Sequence, residues 1–153
     1  MLTKESKTIY FYGQNNEYGE FSNFFSAPIT IKEKIWPTSE HYFQAMKQEG
    51  TKMEETIRKA ESPNKAAKLG RMRSPAYPIR KDWEEIKIDI MYEALRAKFT
   101  QHENLKTILL DTADAELVEH TKGDAIWADG GDGSGKNLLG KLLMKLREEL
   151  RGK

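Results

Sequence analysis

Leu138, Leu139, Leu142, Leu143, Leu146 and Leu150 recur at helical spacing and lay an apolar stripe along one side of a carboxy-terminal helix. Such a stripe must be buried against other elements, so the chain has to fold around packed helices. A second helix starts at Asp82, Trp83, Glu84 and Glu85, which have capping-box form, and carries Ile86, Ile90, Ala94 and Leu95 on one face to about Phe99. Pro37 followed by Thr38 or Ser39 announces another, with Tyr42, Phe43 and Met46 at helical spacing, running to about Glu49. Gly50 and Thr51 break it, and a charged helix follows to about Ala60. Ser62 and Pro63 are a cap and first position for one ending at Gly70, and Glu103 to Leu110 makes a further helix. Extended signals are short: Thr8 to Tyr12, Ile29 to Ile35 as strand or hairpin arm, and about Glu116 to His120. The expected fold is α+β, one compact, predominantly helical domain over residues 1–153 with a small β-sheet, and without repeat or linker.

The 153 residues include no cysteine, which excludes disulfides, a thiol nucleophile and cysteine-based zinc sites and fits a reducing cytoplasm. His41, His102 and His120 show no metal-ligand spacing, so no metal site is expected, nor a cofactor. A net charge of +1 argues against a dedicated nucleic-acid binder while allowing a local basic pocket. The polar start from Met1 to Lys7, and the lack of any apolar run of roughly 20 residues, argue against secretion and membrane insertion. Ten of the 15 aromatic residues lie within the first 43 positions. They form either a core cluster or the flat rings of a base-binding pocket.

Gly130, Gly135 and Lys136 nearly satisfy a phosphate-loop pattern, but Asn137 stands where a hydroxyl should hold magnesium, and only sixteen residues follow it. That argues against a nucleoside triphosphatase. A loop entering a helix still exposes backbone amides suited to an anion, or is a plain helix cap. Glu40, Gln44 and Lys47 share one side of their helix and read as a solvated face or as a functional edge. Trp83 anchors the core or offers an indole face to a ligand. Lys98 either snorkels along apolar surface or is a desolvated amine able to form a Schiff base.

Several segments together resemble the YbiA-like family, also called NADAR. They are Phe21 to Phe24; Trp36 to Lys47; Pro63, Lys65, Ala66, Ala67, Leu69, Gly70 and Arg71; Arg80, Asp82 and Trp83; Leu95, Lys98 and Phe99; and Ile126, Trp127, Asp132, Gly133, Gly135, Asn137, Leu139, Gly140 and Met144. The match covers roughly positions 9 to 147. Ala128 departs from the glycine that often follows the tryptophan.

The resemblance implies an N-glycosidase. Relatives hydrolyse ribosylaminopyrimidine phosphates, early riboflavin intermediates, and others remove ADP-ribose from guanine. The expected substrate is therefore a small ribosyl phosphate, with ADP-ribosylated guanine in nucleic acid or nucleotides as one alternative and a non-catalytic ADP-ribose or NAD-binding module as another. No obligate protein partner is implied. The leaving nitrogen needs a proton and the ribose carbon gathers positive charge, so Glu40 becomes the acid or base and Asp132 the group that stabilises the cation or orients water. Trp83 would stack on the departing base, and Lys98 or Lys47 would trap an opened sugar as an imine. Arg71, Lys65, Lys68 and the amides near Gly133 and Gly135 would hold phosphate, and Asn23 and Asn137 would meet ribose hydroxyls. Phe24, Gln44 and Trp127 complete the expected binding residues.

Overall fold

The computed structural model describes residues 7–152. Residues 1–6 of the polar start read from the sequence therefore lie outside the described range. The chain forms two compact units: residues up to Ser22 together with those from Glu103 onward, and Asn23–His102 between them.

In the first unit, β1 (Thr8–Phe11) pairs in parallel with β4 (Glu116–Glu119), Thr8 opposite Glu116 and Phe11 opposite Glu119. Their alternation sends Ile9, Phe11 and Leu117 inward and leaves Tyr10, Glu116 and His120 exposed. Two further helices, α5 (Glu103–Asp111) and α6 (Leu138–Arg151), complete the unit; α6 packs on β4 and on α5. Five leucines of the expected stripe, Leu139, Leu142, Leu143, Leu146 and Leu150, are buried, with Leu138 half-buried. The approach of α6 to β4 needs a residue without a side chain, because a Cβ on Gly140 would collide with the Leu117 carbonyl.

In the second unit, the extended run read over Ile29 to Ile35 is a hairpin, β2 (Ile29–Ile31) and β3 (Lys34–Trp36). Its two-residue turn holds Lys32 (φ 58°) and Glu33 (φ 65°) in the left-handed region, the turn geometry that matches strand twist. Lys34 secures it from below through Glu54 (2.6 Å) and Glu55 (3.1 Å) on the next helix but one.

Helix α1 (Ser39–Met46) is buried along its whole length and packs on α2 (Lys52–Arg58), α3 (Pro63–Arg71) and α4 (Trp83–Gln101). It ends earlier than expected, since the amides of Lys47 and Gln48 reach back only three residues, to the carbonyls of Gln44 and Ala45. The caps at Thr38, Thr51 and Ser62 form as side-chain acceptors. The capping box at Asp82 does not: helix α4 starts there, but the carboxylate is held by Arg80 (2.7 and 3.1 Å) and makes no cap bond. Around α1, Trp36 meets Tyr42 edge-on at 5.0 Å, and Ile57, Ala66, Met91, Leu95 and Phe99 close the core. No helix among the described residues is long and apolar enough to cross a membrane.

Candidate active site

The second unit assembles most of the charged residues singled out above. Glu40 and Gln44 stand one turn apart on α1, and Gln44 Nε2 donates to Glu40 Oε2 at 2.7 Å. Lys47 follows just past the helix. None is solvated: Glu40 is 7 % exposed, Gln44 4 % and Lys47 8 %. The solvated-face reading of this stripe therefore fails, because α2, α3 and α4 surround α1. Its amino terminus is fixed in place by Asn23, whose carbonyl accepts from the Glu40 amide (3.2 Å) and whose Oδ1 accepts from Ser39 Oγ (2.7 Å). Asn23 Nδ2 meets only the Met91 thioether, at 3.4 Å. Next to Glu40, His41 is held at both ring nitrogens: the Thr38 hydroxyl lies 2.8 Å from Nδ1 and the Ala60 carbonyl 3.0 Å from Nε2, and burial pushes its pKa down.

Gly70 sets how closely α3 approaches this row. A Cβ there would lie 2.7 Å from Gln44 Cβ and 2.8 Å from Cδ, and closer still to Oε1. Glycine at this point lets the α3 backbone press Gln44 toward Glu40. The Gln44 Oε1 that results is buried and has no hydrogen-bond partner, an arrangement tolerated because the opposite amide orientation would set oxygen against carboxylate.

Lys47 has the most telling surroundings. Its ammonium sits 5.7 Å from the Phe43 ring centre and 5.8 Å from that of Trp83. Burial lowers its pKa to about 8, with Arg73 and Arg71 adding repulsion and Glu40 and Glu84 opposing. A buried carboxylate, an easily neutralised amine and two guanidinium groups thus act on one another. Arg73 was not foreseen; its Nη1 is held by the Gly70 and Met72 carbonyls (3.0 and 3.1 Å), at the carboxy-terminal end of α3. Its only signal in the sequence was its place two residues beyond Arg71. Lys65 and Lys68 are exposed on α3 and are not among the leading influences on Lys47.

Trp83 is 6 % exposed, packs against Phe43 at 5.0 Å and carries the Lys47 ammonium, which makes it an anchor rather than an open stacking face. Arg80 and Asp82 are structural: Arg80 also binds Glu49 (2.8 Å) and the Met46 carbonyl (3.3 Å), tying the end of α1 to the start of α4. Lys98 does not snorkel. It has no exposed surface, and its Nζ lies 5.4 Å from the Phe99 ring centre and 5.7 Å from that of Phe25. Phe24 is half-buried in the same unit.

The remaining expected residues belong to the first unit, where the amides at the junction of the glycine loop with α6 have partners. The amides of Lys136, Asn137, Leu138 and Leu139 donate to the carbonyls of Ala125, Ala128, Ile126 and Trp127, and that of Gly135 to Asp129 (2.8 Å). Of the two glycine amides expected to hold phosphate, that of Gly135 is thus engaged. Asn137, at φ 51°, has spent its side chain on β4, accepting from the Glu119 amide (3.0 Å) and donating to the Leu117 carbonyl (2.9 Å). Both polar atoms of its amide are thereby engaged within the unit. Asp132 is exposed, and its Oδ1 accepts from the Ser134 amide and hydroxyl (2.9 and 2.6 Å), which hold its pKa below the usual range. Gly133 is exposed, and Trp127 is half-buried with its amide on Asp124 (2.8 Å). Among the described residues no group of three or more His, Cys, Asp or Glu side chains is arranged to hold a metal.

The chain is 56 % identical over 142 residues to the N-glycosidase YbiA of Escherichia coli (strain K12), covering 93 % of this chain and 88 % of that one. It is 42 % identical over 143 residues to a riboflavin biosynthesis protein of Vibrio vulnificus (strain YJ016), covering 94 % of this chain and 38 % of the relative. The NMR structure of the E. coli protein YbiA matches with a TM-score of 0.88 at 54 % identity, over 97 % of this chain and 88 % of that one. The model of the NADAR domain matches residues 10–151. The chain belongs to the NADAR family and is a hydrolase acting on N-glycosyl compounds.

Proposed function

We propose that the substrate is a ribosylaminopyrimidine phosphate, hydrolysed at its C1′–N bond to ribose 5-phosphate and the free base. The observation that carries this reading is the pairing of a buried carboxylate, Glu40, with an amine of lowered pKa, Lys47, in the field of Arg71 and Arg73. The riboflavin name of the Vibrio relative supports the same substrate class.

The leaving nitrogen of such a substrate is an exocyclic amine, so its ring-opened form is an iminium at C1′. Glu40 protonates the ring oxygen or the leaving nitrogen as each bond opens. Lys47, partly neutral near pH 8, adds to C1′ and passes its surplus proton to the Glu40 carboxylate, which hands it to the base amine as the adduct collapses, leaving a protonated imine that water hydrolyses. Arg71 and Arg73 hold the phosphate. Gln44 keeps the Glu40 carboxylate oriented through its amide.

Release of sugar from freshly generated ribosylaminopyrimidine phosphate, measured for wild type and Glu40→Gln, tests the assignment. The variant should lose about 10²–10⁴-fold in turnover while remaining folded. Near wild-type turnover would remove Glu40 from the chemistry. An ADP-ribosylated guanine oligonucleotide run in parallel discriminates substrates: ADP-ribose released instead of ribose 5-phosphate would overturn the substrate, and release from neither would favour a binding module.

A further inference from the structure

The first unit carries a cleft of ≈ 730 Å³ that the reaction above does not use. It opens on the outward face of the β1–β4 pair, and Tyr10, Val118, His120, Asp129, Lys136 and Lys141 are among the residues that line it. The arrangement at its centre is built. Asp129 is 4 % exposed, and its Oδ1 accepts from the amides of Thr121 (3.2 Å) and Gly131 (2.8 Å), while Oδ2 lies 2.8 Å from His120 Nδ1. Burial opposes ionisation of Asp129, but His120 and these amides together hold its pKa down. An ionised carboxylate so anchored puts the imidazole proton on Nδ1 and fixes the ring plane. Backbone holds the residue as well, through the His120 amide on the Phe11 carbonyl (2.8 Å), and Tyr10 packs edge-on at 5.6 Å.

Nε2 of His120 has no partner among the described residues, and its side chain is 48 % exposed. A fixed imidazole with one free nitrogen is a poor use of a buried aspartate in a purely structural role, since any hydrogen-bonding residue would brace the strand end. Lys136 and Lys141 are exposed and likewise unpaired among the described residues. Glu116 and Asp132 also line the cleft, which disfavours a long polyanion and limits the site to a ligand small enough to lie against the two lysines.

We propose that this cleft is a second binding site, for a small phosphate monoester, with the Lys136 and Lys141 ammonium groups as its ligand-facing donors and His120 Nε2 as the acceptor for a hydroxyl of the ligand. The proposal stands independently of the substrate assigned above. Tyr10, 60 % exposed beside His120, adds a ring face for a flat substituent on the phosphate.

The test is an amide and imidazole NMR titration of the full chain with two probes, ribose 5-phosphate and AMP, in wild type, His120→Ala, Lys136→Gln/Lys141→Gln and Glu40→Gln. The expected result is saturable shifts at Thr121, Gly131 and the His120 ring, weakened about tenfold or more by either cleft variant and unchanged by Glu40→Gln. The double lysine variant alters only exposed side chains, so it remains informative if His120→Ala disturbs the fold. AMP binding tighter than ribose 5-phosphate, with the difference lost in Tyr10→Ala, would identify a nucleotide as the source of the monoester; equal binding would identify a sugar phosphate. Shifts that fail to saturate, or that persist unchanged in the lysine variant, would overturn the proposal. So would an oligonucleotide that moved the same amides more strongly than either monoester.

Discussion

Alanine at position 70 is the sharpest available probe of how the helices aim the candidate acid. The new methyl would sit 2.7 Å from Gln44 Cβ and 2.8 Å from Cδ, where ordinary contacts begin near 3.4 Å. Gln44 is 4 % exposed and has nowhere to retreat, so its amide must rotate away from Glu40 or α3 must back off α1. Overpacking of this kind costs about 1–3 kcal/mol, and loss of a hydrogen bond to a charged group about 1.5–3 kcal/mol. The helix preference of alanine over glycine returns up to about 1 kcal/mol. The net expectation is a loss of roughly 1.5–5 kcal/mol, a fall in Tm of about 3–20 °C for a chain of this size. Turnover should fall as well, with Glu40 no longer oriented. Thermal unfolding and sugar release measured on the same preparation decide the matter. A variant with wild-type Tm and wild-type turnover would refute the claim that Gly70 sets the Gln44–Glu40 geometry.

Other perturbations have equally definite expectations. Because Lys47 loses its proton as pH rises through about 8, kcat should climb across that range; Lys47→Arg, which stays charged, should abolish both turnover and a borohydride-trapped sugar adduct, and an active arginine variant would sink the imine step. The folded-state pKa of His41 is lowered, so as pH falls the unfolded chain takes up a proton, near 6.5, before the folded chain does. Stability should hold above that pH and decline as pH falls below it, and urea unfolding of His41→Gln should show a flatter acid limb; an unchanged limb would clear His41. Lys98→Met keeps the length of a fully buried side chain and removes its charge. Tm should fall, because removing a buried charge leaves the groups around it uncompensated, while turnover of the folded protein stays near wild type; lost turnover at an unchanged Tm would give Lys98 a part in the reaction.

Most helices were legible because their signals are local: the leucine stripe of α6, Ser62 and Pro63 before α3, and Thr38 before α1 each act within one turn. What could not be read depends on partners distant in sequence. The face bearing Glu40, Gln44 and Lys47 has the polarity of a solvated stripe, and only the packing of three helices around α1 makes it an interior. The choice between a snorkelling and a desolvated Lys98 stayed open for the same reason, since its surroundings include Phe25, 73 positions earlier. Asp82 had the right spacing for a cap but a nearer competitor in Arg80. The glycine loop misled in the opposite direction, because nothing in its composition shows that the carbonyls of 125–129 would take up its amides. His120 and Asp129, nine residues apart, were invisible as a pair because a turn and not a periodic element brings them together.

The closed junction of the glycine loop with α6 has a kinetic consequence. A segment whose donors already have partners neither folds around an arriving ligand nor comes apart when it leaves, so no ordering entropy is charged to binding on this unit. Association there should be governed by diffusion and by the attraction of Lys136 and Lys141, with no slow conformational phase. Hydrogen exchange at Lys136 to Leu139 should accordingly be slow in the free protein and unaltered by ligand.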